Sequence, residues 1–343
     1  MRVRIKDIAE RANVSLATVS LVLNNRPGTS RSTREKVLRI ARELHYERAA
    51  SFPLNSIRLG TIRFLKVAKH GRTVNRDHDV FIADYIEGLD HEAVSLGYNL
   101  EISTYKTDDV SQILQSLEHT DVKGFIVLGT ELSELDVRAF EHLQKPVVFI
   151  DTYYDFLDFN FVDMNNIDSL FRIVSSFVDR GHREIGFIGT SVEASNFRRR
   201  ETGFRLSMDR FGIPCREEYF FSVDSTFDGA YSDMLSILRG NPRRLPTALF
   251  CSNDIMAYGC IKAMKECGVA VPKDVSVIGF DDLPMSALMD PPLTTMRVSK
   301  GRIGSLSVLL IHQMLGADHP IPPSKITICG HLVERDSVAT LKA

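Results

Sequence analysis

From Leu59 onward the chain alternates short apolar runs with longer amphipathic segments, and this alternation constrains its fold more than any other feature. Gly60 to Phe64, Tyr98 to Ile102, Gly124 to Leu128 and Val147 to Ile150 have the length and apolar character of buried strands. Between them, segments 84–96, 111–118 and 135–143 carry apolar residues at helical spacing. Strands separated by whole helices return the chain to the same end of a sheet, so the expected product is a parallel sheet with helices on both faces. The rhythm then restarts: a helical segment over 167–178 precedes Ile185 to Ile188, another spans 198–211, and Ala248 to Phe250 and Val275 to Ile278 supply further strands. Two doubly wound units in series place a crevice between them, at the carboxyl ends of the strands.

Residues 1–58 do not share this rhythm. Ile5, Ile8, Ala9 and Ala12 recur at helical spacing, Asn13-Val14-Ser15 interrupts, and Val19, Val22 and Leu23 resume the pattern. Two short helices around a tight turn result, with Ser15 placed to cap the second by accepting the amide hydrogen near Thr18. In a helix-turn-helix the exposed N-terminal half of that helix, here Ser15, Leu16, Ala17, Thr18, Ser20 and Leu21, enters the major groove. A third helix has Ser30 or Ser32 as cap, Glu35 three residues after Ser32, and an apolar stripe of Val37, Ile40, Ala41 and Leu44.

Charge separates the same two parts. Residues 1–60 hold twelve Lys/Arg against five Asp/Glu, a net of +7, so an overall charge of -2 leaves -9 on the remainder. A compact basic head on an acidic body fits a nucleic-acid module joined to a second function. No apolar run follows the basic N-terminus and none is long enough to span a bilayer, so neither a signal peptide nor a membrane span is expected. The five cysteines form no C-x-x-C pair and their number is odd, against a disulfide framework or structural zinc; no metal and no cofactor are expected, and a reducing cytoplasm fits. A G-x-S-x-G elbow, P-loop, H-E-x-x-H and dinucleotide glycine fingerprint are all missing from the sequence, so an enzyme is not expected.

The sequence Ile5-Lys6-Asp7-Ile8-Ala9, followed by Val14-Ser15-x-x-Thr18-Val19-Ser20, Leu23-Asn24 and His45-Tyr46, resembles the start of the lactose/galactose-repressor family. The body resembles that family's periplasmic-binding-protein-like domain through Gly181-His182-Arg183-Glu184-Ile185-Gly186-Phe187-Ile188-Gly189, Cys251 to Gly259, Val271 to Asp282, Pro292-Leu293-Thr294-Thr295 and Glu334-Arg335-x-Ser337. The resemblance implies a helix-turn-helix head over 1–46, a linker over 47–58 and an effector-binding and dimerisation body over 59–343. Within the body, one subdomain would take about 59–160 and 293–325, the other about 161–292 and 326–343.

Carried over residue by residue, Ser15 and Thr18 would touch DNA and Leu16 and Ala17 would read bases. Leu21 departs from the family's usual polar or basic residue, and Leu and Ala can contact thymine methyls but cannot hydrogen-bond a base edge. Ser20 and Asn24 complete the reading helix, and Lys6, Arg26, Arg31 and Arg34 would contact phosphates. The linker is shorter than in relatives; Leu54, after Pro53, is a candidate minor-groove wedge, with a plain tether as the alternative. For the effector, Arg200 matches a clamping arginine and Asp281 a carboxylate that accepts ligand hydroxyls, while Asp79, Phe81, Asp151 and Asn253 occupy positions that reach the ligand. Arg200 paired structurally with Asp281 is the alternative, and Asp254 reads as a helix cap and His182 as structural.

Such a set suits a polyhydroxylated molecule, a sugar or sugar-derived ligand. Two departures bear on its identity. Asp224 stands where relatives place an aromatic lid, and Lys66 to Asp77 is a polar insertion whose Lys69, Arg72 and Arg76 either form a solvated loop or favour an anionic effector such as a sugar phosphate. The expected function is a cytoplasmic, sequence-specific transcriptional repressor, a homodimer with a tetramer left open, on a pseudo-palindromic operator. An activator, a corepressor-dependent regulator and a solute-binding protein are the alternatives.

Overall fold

The computed structural model describes residues 59–240 and 245–341 and, in the N-terminal part, residues 5–12, 14, 15, 18, 19, 22, 29, 33, 36, 37 and 39–41. The chain divides into two compact units, Met1–Arg58 and Leu59–Ala343.

In the first unit, α1 spans Ile5–Ala12. Ile8, Ala9 and Ala12 on its inner face pack with Val19, Val22, Val37, Ile40 and Ala41, so these residues picked out by helical spacing close one small core; Leu23, Leu44 and the side chain of Ile5 lie outside the described residues. Ser15 behaves as the expected cap: its Oγ accepts the Thr18 amide at 3.0 Å and lies 2.9 Å from the Thr18 hydroxyl.

The second unit holds two six-stranded sheets. The first, in the order β11-β5-β4-β3-β1-β2, uses β1 (Gly60–Ala68), β2 (Tyr98–Lys106), β3 (Gly124–Leu128), β4 (Val147–Ile150), β5 (Asn160–Met164) and β11 (Lys325–Ile328), all parallel. Its helices are α2 (Asp79–Ser95), α3 (Val110–Leu117), α4 (Glu134–Arg138) and α9 (Lys300–Gly316). The second sheet, β12-β10-β9-β8-β6-β7, uses β6 (Ile185–Gly189), β7 (Phe220–Ser222), β8 (Ala248–Cys251), β9 (Ser276–Asp281), β10 (Thr294–Arg297) and β12 (His331–Val333), with α5 (Asn166–Asp179), α6 (Ser195–Arg210), α7 (Phe227–Gly240) and α8 (Asp254–Glu266). Its strands are parallel except β10 and β12, which pair antiparallel.

Strand β1 shows how sequence sets the layers. Ile62 and Phe64 enter the core beneath α2, whereas Leu65 and Val67 enter a separate core with Ile113 and Leu117 of α3. His182 is a buried tie, as expected: its Nδ1 lies 3.0 Å from the Thr247 hydroxyl and its Nε2 3.0 Å from the Ala339 carbonyl.

The chain crosses between lobes later than the sequence suggested. β5 belongs to the first sheet, so the first crossing follows Met164 instead of residue 160. β10 pairs with β9 in the second sheet, so the return follows Arg297 instead of residue 292, and β11 holds the first sheet to Ile328 instead of residue 325. Hydrogen bonding across the sheet decides these memberships, and the local apolar pattern is the same in either lobe.

Helices α2 and α9 meet through glycines. A Cβ on Gly88 would run into the backbone of Gly301, and one on Gly304 into the backbone of Tyr85 and Leu89. Gly88→Ala is therefore expected to cost about 1–3 kcal/mol by overpacking and to lower the thermal midpoint by a few degrees. An unchanged midpoint in calorimetry would refute so close an approach.

Candidate functional site

Both sheets reverse their winding direction next to their first strand. In the first, β2 lies on one side of β1 and β3 on the other; in the second, β7 and β8 flank β6 in the same way. The loops leaving each pair diverge and open a crevice at the carboxyl ends. Thr73 and His78 come from the loop after β1, Phe81 and Ile82 from α2, Thr130 from the loop after β3 and Asp151 from the end of β4. Ala194, Asn196, Phe197 and Arg200 come from the start of α6, Asn253 from the start of α8 and Asp281 from the end of β9. The two walls close to a cavity of about 30 Å³, room for one or two waters.

Arg200 is buried and held chiefly by its own lobe, with Nη2 also 3.0 Å from Met164 Sδ at the end of β5. Its Nε donates to Asn166 Oδ1 at 3.1 Å, its Nη1 to the Ser252 carbonyl at 2.5 Å, and its guanidinium lies 3.9 Å from the centre of the Phe280 ring. Nη2 stands 3.6 Å from Asp281 Oδ1, an ion pair too long for a hydrogen bond. That oxygen has no hydrogen-bond partner among the described residues. Asp281 also has φ +114° and Asp151 φ +56°. Both sit just where a strand ends, in backbone regions that non-glycine residues enter at a cost and that concentrate at ligand sites.

Asp151 accepts from Tyr85 Oη at 3.2 Å, from Asn196 Nδ2 at 3.0 Å and from the Thr130 hydroxyl. Beneath it lies Asp163, fully buried, with one oxygen facing Asn196 Nδ2 at 3.3 Å and the other unpartnered among the described residues. Three carboxyl groups thus share a desolvated space with the Arg200 guanidinium and, beside Asp281, the buried Lys300 ammonium, whose Nζ donates to the Asp281 carbonyl at 3.0 Å. Burial dominates: it raises Asp281 to about 8 against the pull of Arg200, raises Asp163 to about 7 with help from the charge on Asp151, and raises Asp151 itself. Burial also lowers His78 to about 4, so its ring is neutral. Its Nε2 accepts from Asn253 Nδ2 at 3.2 Å and its Nδ1 faces Asn75 Oδ1 at 3.1 Å, which assigns the ring proton to Nδ1.

Of the six residues proposed from sequence for the ligand, Phe81, Asp151, Arg200, Asn253 and Asp281 converge on the crevice. Asp79 does not: it is half exposed and pairs with Lys66 at 2.5 Å on the outer side of α2. Asn253 caps α8 by accepting the Met256 amide at 2.8 Å, the role expected of Asp254. Asp254 instead accepts from Thr295, Ser286 and the Leu283 amide, tying the loop after β9 to β10. Asp224 accepts from Thr226 at the start of α7 and does not line the crevice. Sequence reasoning missed Thr73, His78, Thr130, Asn196 and Phe197; only Asn196, four residues before Arg200 on one helix face, carried a readable signal. Of the proposed DNA contacts, Leu16, Ala17, Ser20, Leu21, Asn24, Arg26, Arg31, Arg34 and Leu54 lie outside the described residues, as does the side chain of Lys6.

Contacts also cross the crevice. Ser195 Oγ donates to the Tyr153 carbonyl at 2.6 Å and Ser225 Oγ to the Arg72 carbonyl at 2.7 Å, while the Phe227 amide donates to Asp77 at 3.2 Å. Among the described residues no group of metal-ligating side chains is found, and no helix is long and apolar enough to cross a membrane.

Residues 4–49 match the model for bacterial regulatory proteins of the lacI family, and residues 174–338 match a periplasmic binding protein-like domain. The HTH-type transcriptional repressor PurR of Yersinia pestis bv. Antiqua is 31% identical over 345 residues, covering 98% of this chain and 96% of that one. Among solved structures, the transcriptional regulator CelR in complex with cellobiose superposes with a TM-score of 0.72 at 22% identity, over 98% of this chain and 100% of that one. The lac repressor dimer bound to operator and the anti-inducer ONPF superposes with a TM-score of 0.69 at 24% identity, over 99% and 100%. The chain therefore belongs to the lacI family of bacterial regulatory proteins, DNA-binding transcriptional regulators rather than enzymes, with a helix-turn-helix head and a periplasmic-binding-protein-like ligand domain.

Proposed function

We propose that the chain is a repressor whose crevice takes a neutral, polyhydroxylated molecule, a sugar or close derivative, through Arg200, Asp281, Asp151, Asn253 and Phe81. The observation that carries this reading is the convergence of a buried guanidinium, carboxyls with an unpartnered oxygen and an aromatic edge on one cavity. Hydroxyl groups donate to the carboxyls and accept from Arg200, while Phe81 and Phe197 cover C–H surface. Arg200 faces Asp281 and the neighbouring Lys300 is paired with Asp84 at 3.1 Å, so among the described residues neither cation is left over for a phosphate. The fold neighbour in complex with cellobiose supports a sugar as the class.

The head, residues 1–46, would enter the major groove with Ser15 and Thr18 at the start of its reading helix, joined by a linker over 47–58 to the body. The neighbour solved as a dimer on operator supports a homodimer on a pseudo-palindromic site, with half-sites about one helical turn apart. A ligand shifts DNA affinity only as far as it prefers one arrangement of the lobes. Induction, in which ligand releases the operator, is the sense proposed.

Fluorescence anisotropy on a duplex from the DNA upstream of its own gene, at fixed salt, with neutral sugars and their phosphates, tests the reading. One neutral sugar should release the duplex, and calorimetry should show Arg200→Ala weakening that sugar by more than about tenfold, the loss expected for a charge-assisted pair. Binding that appears only with a compound would make the ligand a corepressor and overturn the proposed sense. Preference for a phosphorylated form would overturn the ligand class.

The acids carry a second expectation. Asp281 ionises near 3.8 in an unfolded chain and near 8 in the crevice, so between those values the folded protein holds a proton that the unfolded chain has released. Stability should therefore fall as pH rises through that window. Thermal melts without added ligand should show a midpoint declining from pH 5 to pH 8, with a shallower decline in Asp281→Asn; equal slopes would contradict the raised Asp281.

A further inference from the structure

The basic residues of the polar insertion do not face the crevice. Lys66, Lys69, His70 and Arg76, together with Lys106 at the end of β2, line a second cavity of about 490 Å³ on the outer side of the same loop, a volume within the range of small-molecule sites. Register explains the grouping. Lys66 lies opposite Thr104 and Ala68 opposite Lys106, so alternate residues of two parallel strands project to one face, just beyond their carboxyl ends.

The wall is built in advance. Glu131, whose side chain is fully buried, accepts the backbone amides of His70, Gly71, Thr73 and Val74 and the Thr73 hydroxyl, at 2.8–2.9 Å. One carboxylate thus fixes the loop from inside, and those amide bonds keep it ionised. Asn75 fastens the far end by donating to the Gly71 and Arg72 carbonyls. Every lining residue belongs to the first lobe, so the cavity is assembled without any residue of the second.

The charges are not balanced. Lys66 is met by Asp79 at 2.5 Å and Lys69 by Asp136 at 2.6 Å, but no ion pair is found for Arg76 or Lys106 among the described residues. Two cations thus face the cavity uncompensated, matching the charge of about -1.5 to -2 on a phosphate monoester at neutral pH. Thr104, Thr107 and Asn75 add neutral polar groups around them. We propose that this outer cavity binds a small phosphorylated metabolite, as a site separate from the crevice. The proposal rests on none of the crevice assignments.

The loop has two faces. Its outer face presents Arg76 to this cavity, while Thr73 and His78 line the crevice and Arg72 and Asp77 bond the second lobe. An anion held outside therefore bears on the piece of backbone that closes the site inside.

The test is titration of the full chain with inorganic phosphate by calorimetry, at constant ionic strength, beside two variants of opposite sign. The double variant Arg76→Gln, Lys106→Gln should weaken phosphate by about tenfold or more, and Asp79→Asn, which releases Lys66, should tighten it by about threefold. Misfolding cannot produce a tightening. Equal affinity in all three chains, or no saturable binding by the parent up to about 10 mM, a binding free energy near -3 kcal/mol, would overturn the proposal. Loss of crevice sugar binding alone would count against the crevice reading and leave this one standing.

Discussion

Arg200 is buried where an unpaired guanidinium would be costly, and each of Asp151, Asp163 and Asp281 is buried where an unpaired carboxylate would be. Neither side is affordable alone, so the crevice exists only as a mutual arrangement of these groups. The guanidinium is fixed by Asn166, the Ser252 carbonyl and the Phe280 ring, all outside the cavity mouth. Its Nη2 edge, otherwise in contact only with Met164 Sδ and Asp281 among the described residues, and the Asp281 oxygen left unpartnered among those residues are what a ligand meets. Protonation supplies the rest of the balance, since burial holds Asp281 and Asp163 above the usual carboxylate range even against the pull of Arg200 and, at Asp281, of Lys300. The polar pattern offered to a ligand is thereby set by a charge deficit as much as by shape.

The parts of this arrangement legible in the sequence were those expressed through local periodicity or short motifs. Alternating strands and helices gave away both sheets, and the Gly279-Phe280-Asp281 and Arg200-x-x-Gly203-Phe204 motifs gave away the two central charges. Asp163 was hidden because nothing in Asn160 to Met164 distinguishes a buried acid from an exposed one until β5 is placed between β4 and β11. His78 was hidden because its neutrality depends on burial against Asn253, 175 residues away. Asp79 was misplaced because the first turn of α2 offers both an inner and an outer face, and the choice is made by Lys66 in a different element.

The insertion after β1 shows the same limit differently. As sequence it is a run of charge with no period, and a run of charge is compatible with a solvated loop. What orders it is Glu131, which follows β3 and whose carboxylate gathers the amides that the loop cannot pair with itself. Backbone hydrogen bonding, and not side-chain charge, decides the loop's shape; the charges then fall where that shape sends them.

The closure of the crevice has a consequence in time. A cavity of about 30 Å³ is too small for a sugar-sized molecule, and the lobes are held together by direct bonds such as Ser195 to Tyr153 and Ser225 to Arg72. Entry must wait for these bonds to part, a lobe motion on the microsecond-to-millisecond scale. Once ligand is abundant, the speed of response is then set by how often the lobes part, and raising its concentration further no longer hastens it. Such a regulator averages over pulses of its signal shorter than the interval between openings and answers to what outlasts them.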